Sequence, residues 1–132
     1  MNKFQPIGLL VGRLLLAYIF VLSGYGKLVG FHATAGYMAS KGLPMTEVLL
    51  VGTIAIELLG GLMLAVGWKT RWVAWVFFLW LIPVSLVFHN YWSVDIKLVT
   101  AQMIQFNKNL AIMGGMLYVA FTGPGKLSLD RG

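Results

Sequence analysis

Four stretches of this chain are each about as long and as apolar as a membrane helix must be, and they leave it little choice of fold. A bilayer core of about 30 Å takes about 20 mostly apolar residues in helical form. The stretches run from about Pro6 to Tyr25, from Met45 to Gly67, from Arg71 to Phe88 and from Ile104 to Phe121. They lie in a chain of 132 residues that is 59% hydrophobic and 11% charged. Soluble domains run at roughly 45–50% apolar and about 25% charged. A soluble fold this small exposes too large a share of its surface to hide the excess. The expected fold is therefore all-α: one domain over residues 1–132, built as a transmembrane four-helix bundle. Lys3 and the apolar run after it have the outline of a secretory leader. Arg13 splits that run and no small-x-small cleavage site follows, so the stretch reads as a retained first helix.

The connections add detail. Gly67-Trp68-Lys69-Thr70 is short and makes its two helices antiparallel neighbours. The stretch from Gly30 to Pro44 is longer, with Phe31, Tyr37 and Met38 able to anchor a short interfacial helix before Gly42 and Pro44 break it. Asn90 to Thr100 is polar and suits the surface. Lys3, Lys69, Arg71, Lys126 and Arg131 fall on one side of the membrane. Lys27, Lys41 and Lys97 fall on the other, diluted by Glu47 and Asp95. The positive-inside rule then puts both termini in the cytoplasm. Trp68, Trp72 and Tyr118 lie near the inner interface on this reading, and Tyr25, Tyr91 and Trp92 near the outer one. Gly8-x-x-x-Gly12, Gly60-Gly61 and Gly114-Gly115 are expected to let helices approach closely. Pro83 is expected to kink the third helix.

Polar residues at membrane depth carry the functional information, because a charge there costs at least about 2.5–3.5 kcal/mol. Arg13 and Lys27 share a face of the first helix with Ala17, Phe20 and Gly24. Glu57 falls near the middle of the second, on a face with Thr53 and Gly60. Ser85 and His89 are one turn apart on the third, and Gln105, Lys108 and Asn109 form a patch on the fourth. Depth counting brings Arg13 and Glu57 within reach as a buried pair. Two readings of Glu57 stand side by side: an ion pair that sets helix register, or a carboxylate that relays protons or meets a ligand. The outer residues Lys27, His89, Lys108 and Asn109 suit an anion or a polar head group, while Lys27 and Lys108 can also simply snorkel to the surface. The candidate ligand-binding set is Arg13, Lys27, Glu57, His89, Gln105, Lys108 and Asn109. No catalytic residue stands out.

Several chemistries drop out. The chain has no cysteine, which removes disulfides, a thiol nucleophile and a Cys-ligated metal. No metal-ligand spacing is present. A bis-histidine haem needs two histidines on facing helices, but His32 lies in a loop. Ser23 and Ser128 have no neighbouring base, and Gly123-Pro124-Gly125 is a chain-ending turn rather than a phosphate loop. The net charge of +6 is scattered singly, which suits topology and anionic lipid rather than nucleic acid.

Taken in order, Arg13-Leu14-Leu15, Ser23-Gly24-Tyr25-Gly26-Lys27-Leu28, Tyr37-Met38, Lys41-Gly42-Leu43-Pro44 and Glu57-Leu58-Leu59-Gly60-Gly61 resemble the DoxX family of small bacterial membrane proteins. Gly67 with Thr70-Arg71, His89, Phe106-Asn107-Lys108-Asn109, Thr122-Gly123-Pro124-Gly125 and Ser128-Leu129-Asp130 extend the likeness over nearly the whole chain. The resemblance implies a four-helix bundle in a bacterial inner membrane. By analogy with a subunit of a thiosulfate:quinone oxidoreductase, it also implies a redox-linked subunit using a quinone. The alternatives are a module that binds or transports a small anion or lipid head group, and a scaffold for a partner subunit. The expected partners are the bilayer and either a partner subunit or a second copy of the chain.

Overall fold

The computed structural model describes residues 2–130, so the Arg131 counted above lies outside it. All regular structure among these residues is helical. The order is α1 Gln5–Val29, α2 Phe31–Ser40, α3 Thr46–Val66, α4 Thr70–Phe88 and α5 Val99–Thr122, with 3-10 turns at Tyr91–Ser93 and Ile96–Leu98 before α5. Three helices, α1, α3 and α4, are long and apolar enough to cross a membrane. α5 has 24 residues but a more polar composition, because Gln102, Gln105, Asn107, Lys108 and Asn109 crowd its first half. α1 runs a turn past its expected end, which puts Lys27 inside the helix, and α5 begins five residues before its expected start.

α1 packs most closely on α3, and α4 on α5. The α3–α4 hairpin expected from the short Gly67–Thr70 link forms, but its helices touch less than those two pairs do. One apolar cluster joins all four long helices: Ala17 and Phe20 of α1, Leu64 of α3, Val73, Ala74, Phe77 and Leu81 of α4, and Met116 and Ala120 of α5. Phe20 stacks on Phe77 with ring centroids 4.0 Å apart. α2 folds over the end of the molecule away from the termini. It covers a second cluster of Ala35, Met38, Leu50 and Ile54.

Small residues set the α1–α3 register. A Cβ on Gly24 would lie 2.8 Å from Leu58 Cγ and 3.1 Å from Glu57 Cβ, and one on Gly61 would lie 2.8 Å from Val21 Cγ2. Gly60 meets the Phe77 ring and Gly115 meets Leu16 in the same way. Gly8 and Gly12 differ from expectation: no side chain or backbone of another element lies within 4 Å of a Cβ at either. That motif faces outward and packs against no other helix among the described residues.

Candidate functional site

The end of the molecule near the termini is a latch. Arg13 is buried, and its guanidinium donates to the carbonyls of Ala65, Pro124 and Leu127, the last at 2.7 Å. Ala65 belongs to the last turn of α3, whose carbonyls lack helical partners. The segment after α5 folds back along the same turn. Leu129 N–H donates to Val66 and Asp130 N–H to Gly67, at 3.1 and 2.9 Å. Gly67, at φ +73°, is packed so tightly that a Cβ would lie 2.3 Å from Ser128 Cβ. Asp130 then accepts from the N–H groups of Lys69 and Thr70 at 2.7 and 2.8 Å, capping the start of α4. Desolvation pushes the Asp130 pKa up, but the hydrogen bonds from Thr70 and Lys69 and the charge of Lys69 outweigh it. The pKa ends below its ordinary value of 3.8. Arg71 donates to Ala120 and Phe121 carbonyls at the end of α5.

The far end holds a cavity of about 350 Å³ between the α1–α3 and α4–α5 pairs, within the usual size of small-molecule sites. Its apolar walls include Ile19, Phe20, Trp80, Leu81, Val84 and Ile112, and α2 contributes Thr34, Tyr37 and Met38. Its polar lining includes Ser23, Lys27, Thr53, Glu57, His89, Gln105, Lys108 and Asn109.

Lys27 Nζ lies 2.7 Å from Glu57 Oε1, with the Glu57 side chain 7% exposed and the Lys27 side chain 30%. Oε1 is shielded from solvent and makes no aligned hydrogen bond, so the contact is a pairing of charges. The ammonium's hydrogen bond goes to Ser23 Oγ at 2.6 Å. Each charge offsets the desolvation cost of the other. Asn109 Nδ2 donates to Ser85 Oγ at 3.1 Å, tying α5 to α4. His89 Nδ1 sits 2.8 Å from Gln102 Oε1. The amide oxygen can only accept, so Nδ1 is the donor in this contact. Lys108, exposed at the rim, donates to Gln105 Oε1.

Six of the seven sequence-predicted residues therefore share one cavity. Arg13 does not: it stands at the opposite end, and the expected Arg13–Glu57 pair does not form. Side chains lean toward the N-terminus of their own helix. α1 and α3 are antiparallel, so Arg13 leans toward the termini while Glu57 leans away from them. Ala65, the contact of Arg13, lies eight residues along α3 from Glu57, about 12 Å. Glu57 instead meets Lys27, which leans back from the end of α1. Gln102 was not anticipated. Its signal was the spacing of Gln102, Gln105 and Asn109 on one helical face, hidden by starting the helix at Ile104.

The arrangement is that of a small integral membrane protein with a ligand-sized, largely apolar cavity carrying a few polar groups at one end and a structural latch at the other. The chain belongs to the DoxX family, whose sequence pattern matches residues 8–90. It is 35% identical over 127 residues to the inner membrane protein YphA of Escherichia coli, covering 96% of this chain and 91% of that one. It is 35% identical over 131 residues to the inner membrane protein YqjF of the same organism, covering 99% and 95%. It is 32% identical over 130 residues to the putative oxidoreductase CatD of Bacillus subtilis, covering 98% and 90%. No solved structure matches it. The residues that carry the family resemblance divide between the two ends. Arg13, Gly67, Arg71, Gly123-Pro124-Gly125 and Asp130 build the latch, and Ser23, Lys27, Tyr37, Glu57, His89 and Lys108-Asn109 line the cavity.

Proposed function

We propose that this protein is a four-helix transmembrane bundle of the inner membrane, with both termini in the cytoplasm, and that its cavity binds a quinone as part of a redox-linked assembly. The carrying observation is the cavity itself, which sets three ionisable side chains, Glu57, Lys27 and His89, against apolar and aromatic walls. Gln105 and Asn109, which line the cavity, account for part of the lower hydropathy of α5, whose 24 residues span about 36 Å. The names of YphA and YqjF support the location, and that of CatD supports the redox reading.

The residues fit a quinone head group. Lys108 offers a donor for a carbonyl oxygen, His89 lies beside it in the polar lining, and Phe20, Trp80 and Val84 offer walls for a ring. When bound, a quinone supplies the electron-accepting chemistry. Because reduction to the quinol consumes protons, Glu57 would relay protons to the head group, Lys27 would pair with its carboxylate between transfers, and Gln102 would orient His89. The electrons would have to come from a donor on a partner, since this chain has no cysteine thiol of its own to supply them.

Titrating decylubiquinone into the protein in nanodiscs and following tryptophan fluorescence tests this. Saturable quenching is expected, lost in Trp80→Phe and weakened in the cavity-filling Val84→Trp. Quenching that rises linearly and alike in all three proteins would show that no site exists.

A second reading draws on Lys108, an exposed cation that pairs with no carboxylate among the described residues. It favours an acidic head group, and the site would then bind or carry an anionic amphiphile without redox chemistry. Binding that tracks ligand charge and survives without any electron donor distinguishes it.

A further inference from the structure

The cavity has a roof and a side, and they are built differently. At the far end, α2 lies across the opening and is pinned to α4 by Tyr37 stacking on Phe88, with ring centroids 5.8 Å apart and an interplanar angle of 29°. Thr34, Tyr37 and Met38 form the cavity's lining on that side. Beyond α5's first turns, Tyr91, Trp92 and Phe106 form a mutual edge-to-face cluster with centroids 5.2–5.5 Å apart.

The side between α1 and α5 has no such closure, because these two helices touch little. Their contact is at Leu16, whose Cδ2 would lie 3.2 Å from a Cβ on Gly115. The helices are antiparallel, so moving outward from that contact brings Ile19 opposite Ile112 and Ser23 opposite Lys108. All four line the cavity, none is buried, and Lys108 is exposed. Their sequence neighbours Tyr18, Leu22 and Leu110 are large, apolar and 49–65% exposed, as a surface against lipid tails is. Ser23 lies six residues outward from the midpoint of α1, about 9 Å, so Lys108 at the same level reaches the head-group boundary by extending its chain.

We infer that the cavity is loaded sideways from the bilayer, through the α1–α5 seam, and that its ligand is a membrane-dissolved amphiphile whose polar head passes Lys108 on the way in. This rests on the proposed quinone site and adds its route. A seam above Leu16–Gly115 lets an apolar tail stay in lipid while the head reaches Lys27 and Glu57. A ligand from water would have to displace the Tyr37–Phe88 stack instead.

The chain contains no cysteine, so an introduced pair is the only disulfide it can form. One variant carries Ile19→Cys with Ile112→Cys to staple the seam. A second carries Tyr37→Cys with Phe88→Cys to staple the roof. Each is compared oxidised and reduced in nanodiscs, so each is its own folding control. The measured quantity is the rate at which pre-bound decylubiquinone leaves. Oxidising the seam pair is expected to slow release by about ten-fold or more, reversibly, while oxidising the roof pair leaves it unchanged. Normal binding with release slowed only by the roof staple, or by neither, overturns the lateral route and leaves the site standing. Absence of binding in the reduced variants and in the unaltered protein overturns the site and the route together.

Discussion

Lys27 and Glu57 meet 2.7 Å apart because each leans toward the N-terminus of its own helix, and those helices run in opposite directions. The ammonium comes back from the end of α1 and the carboxylate comes forward from the middle of α3. The pair sits in the cavity wall, so it serves the bundle and the site at once. Removing one partner leaves a poorly compensated charge; removing both leaves none. Lys27→Met and Glu57→Gln are each expected to destabilise the protein, and the double variant less than their sum. The coupling energy should fall in the range of about 0.5–3 kcal/mol, measured by unfolding in detergent. Strict additivity would mean that the two charges do not interact.

Arg13 does a different job. Its guanidinium satisfies three carbonyls from α3 and the segment after α5. A lysine carries its three donors on one nitrogen, so it cannot reach carbonyls that the guanidinium meets from Nε, Nη1 and Nη2. Both Arg13→Ala and Arg13→Lys are expected to lower stability by about 2 kcal/mol or more and to raise hydrogen exchange across Gly123–Asp130. Ligand affinity should hold. A variant that loses the ligand but keeps the protected tail would return Arg13 to the site.

Gly24 fixes how closely α1 approaches Glu57. Gly24→Ala puts a methyl group 2.8 Å from Leu58 Cγ and 3.1 Å from the Leu58 backbone nitrogen. The backbone cannot retreat as a side chain would. An overpacking cost of about 1–3 kcal/mol is expected, with weaker ligand binding as the Lys27–Glu57 pair shifts. Gly8→Ala, on the outward face, is the matched control and should change neither.

Asp130 gives the latch a pH dependence. Its folded pKa lies below the ordinary 3.8, so the folded state holds the proton less readily than the unfolded chain. The cap therefore contributes in full above the unfolded value, and the contribution fades as pH falls through the lower folded value. Protection of the tail amides should decline over that acid range. Asp130→Asn should lower protection at neutral pH and flatten the acid decline, as followed by hydrogen exchange against pH.

Much of this could be read from residues alone, and the failures share a cause. Apolar length located α1, α3 and α4 to within a few residues, and Gly42 with Pro44 marked the end of α2. The polar face of α5 was visible as Gln105, Lys108 and Asn109. Partners were harder. The α1–α3 register is set by Gly24 against Leu58 and Gly61 against Val21, contacts that depth counting from loop ends cannot supply. The return of the tail to Val66 and Gly67 is a long-range event with no local periodicity to announce it. Arg13 thus read as a partner for Glu57, although the direction of each Cα–Cβ bond argues otherwise.

The most direct test of the central claim is mass spectrometry of small molecules released from gently solubilised, purified protein, the unaltered chain beside Val84→Trp and Lys108→Ala. The account predicts a quinone near one per chain in the unaltered protein, absent when Val84→Trp fills the cavity and reduced in Lys108→Ala. The same lipid profile from all three equally stable proteins, with no quinone enriched, would contradict it and leave the far-end polar cluster as a device for holding the helices together.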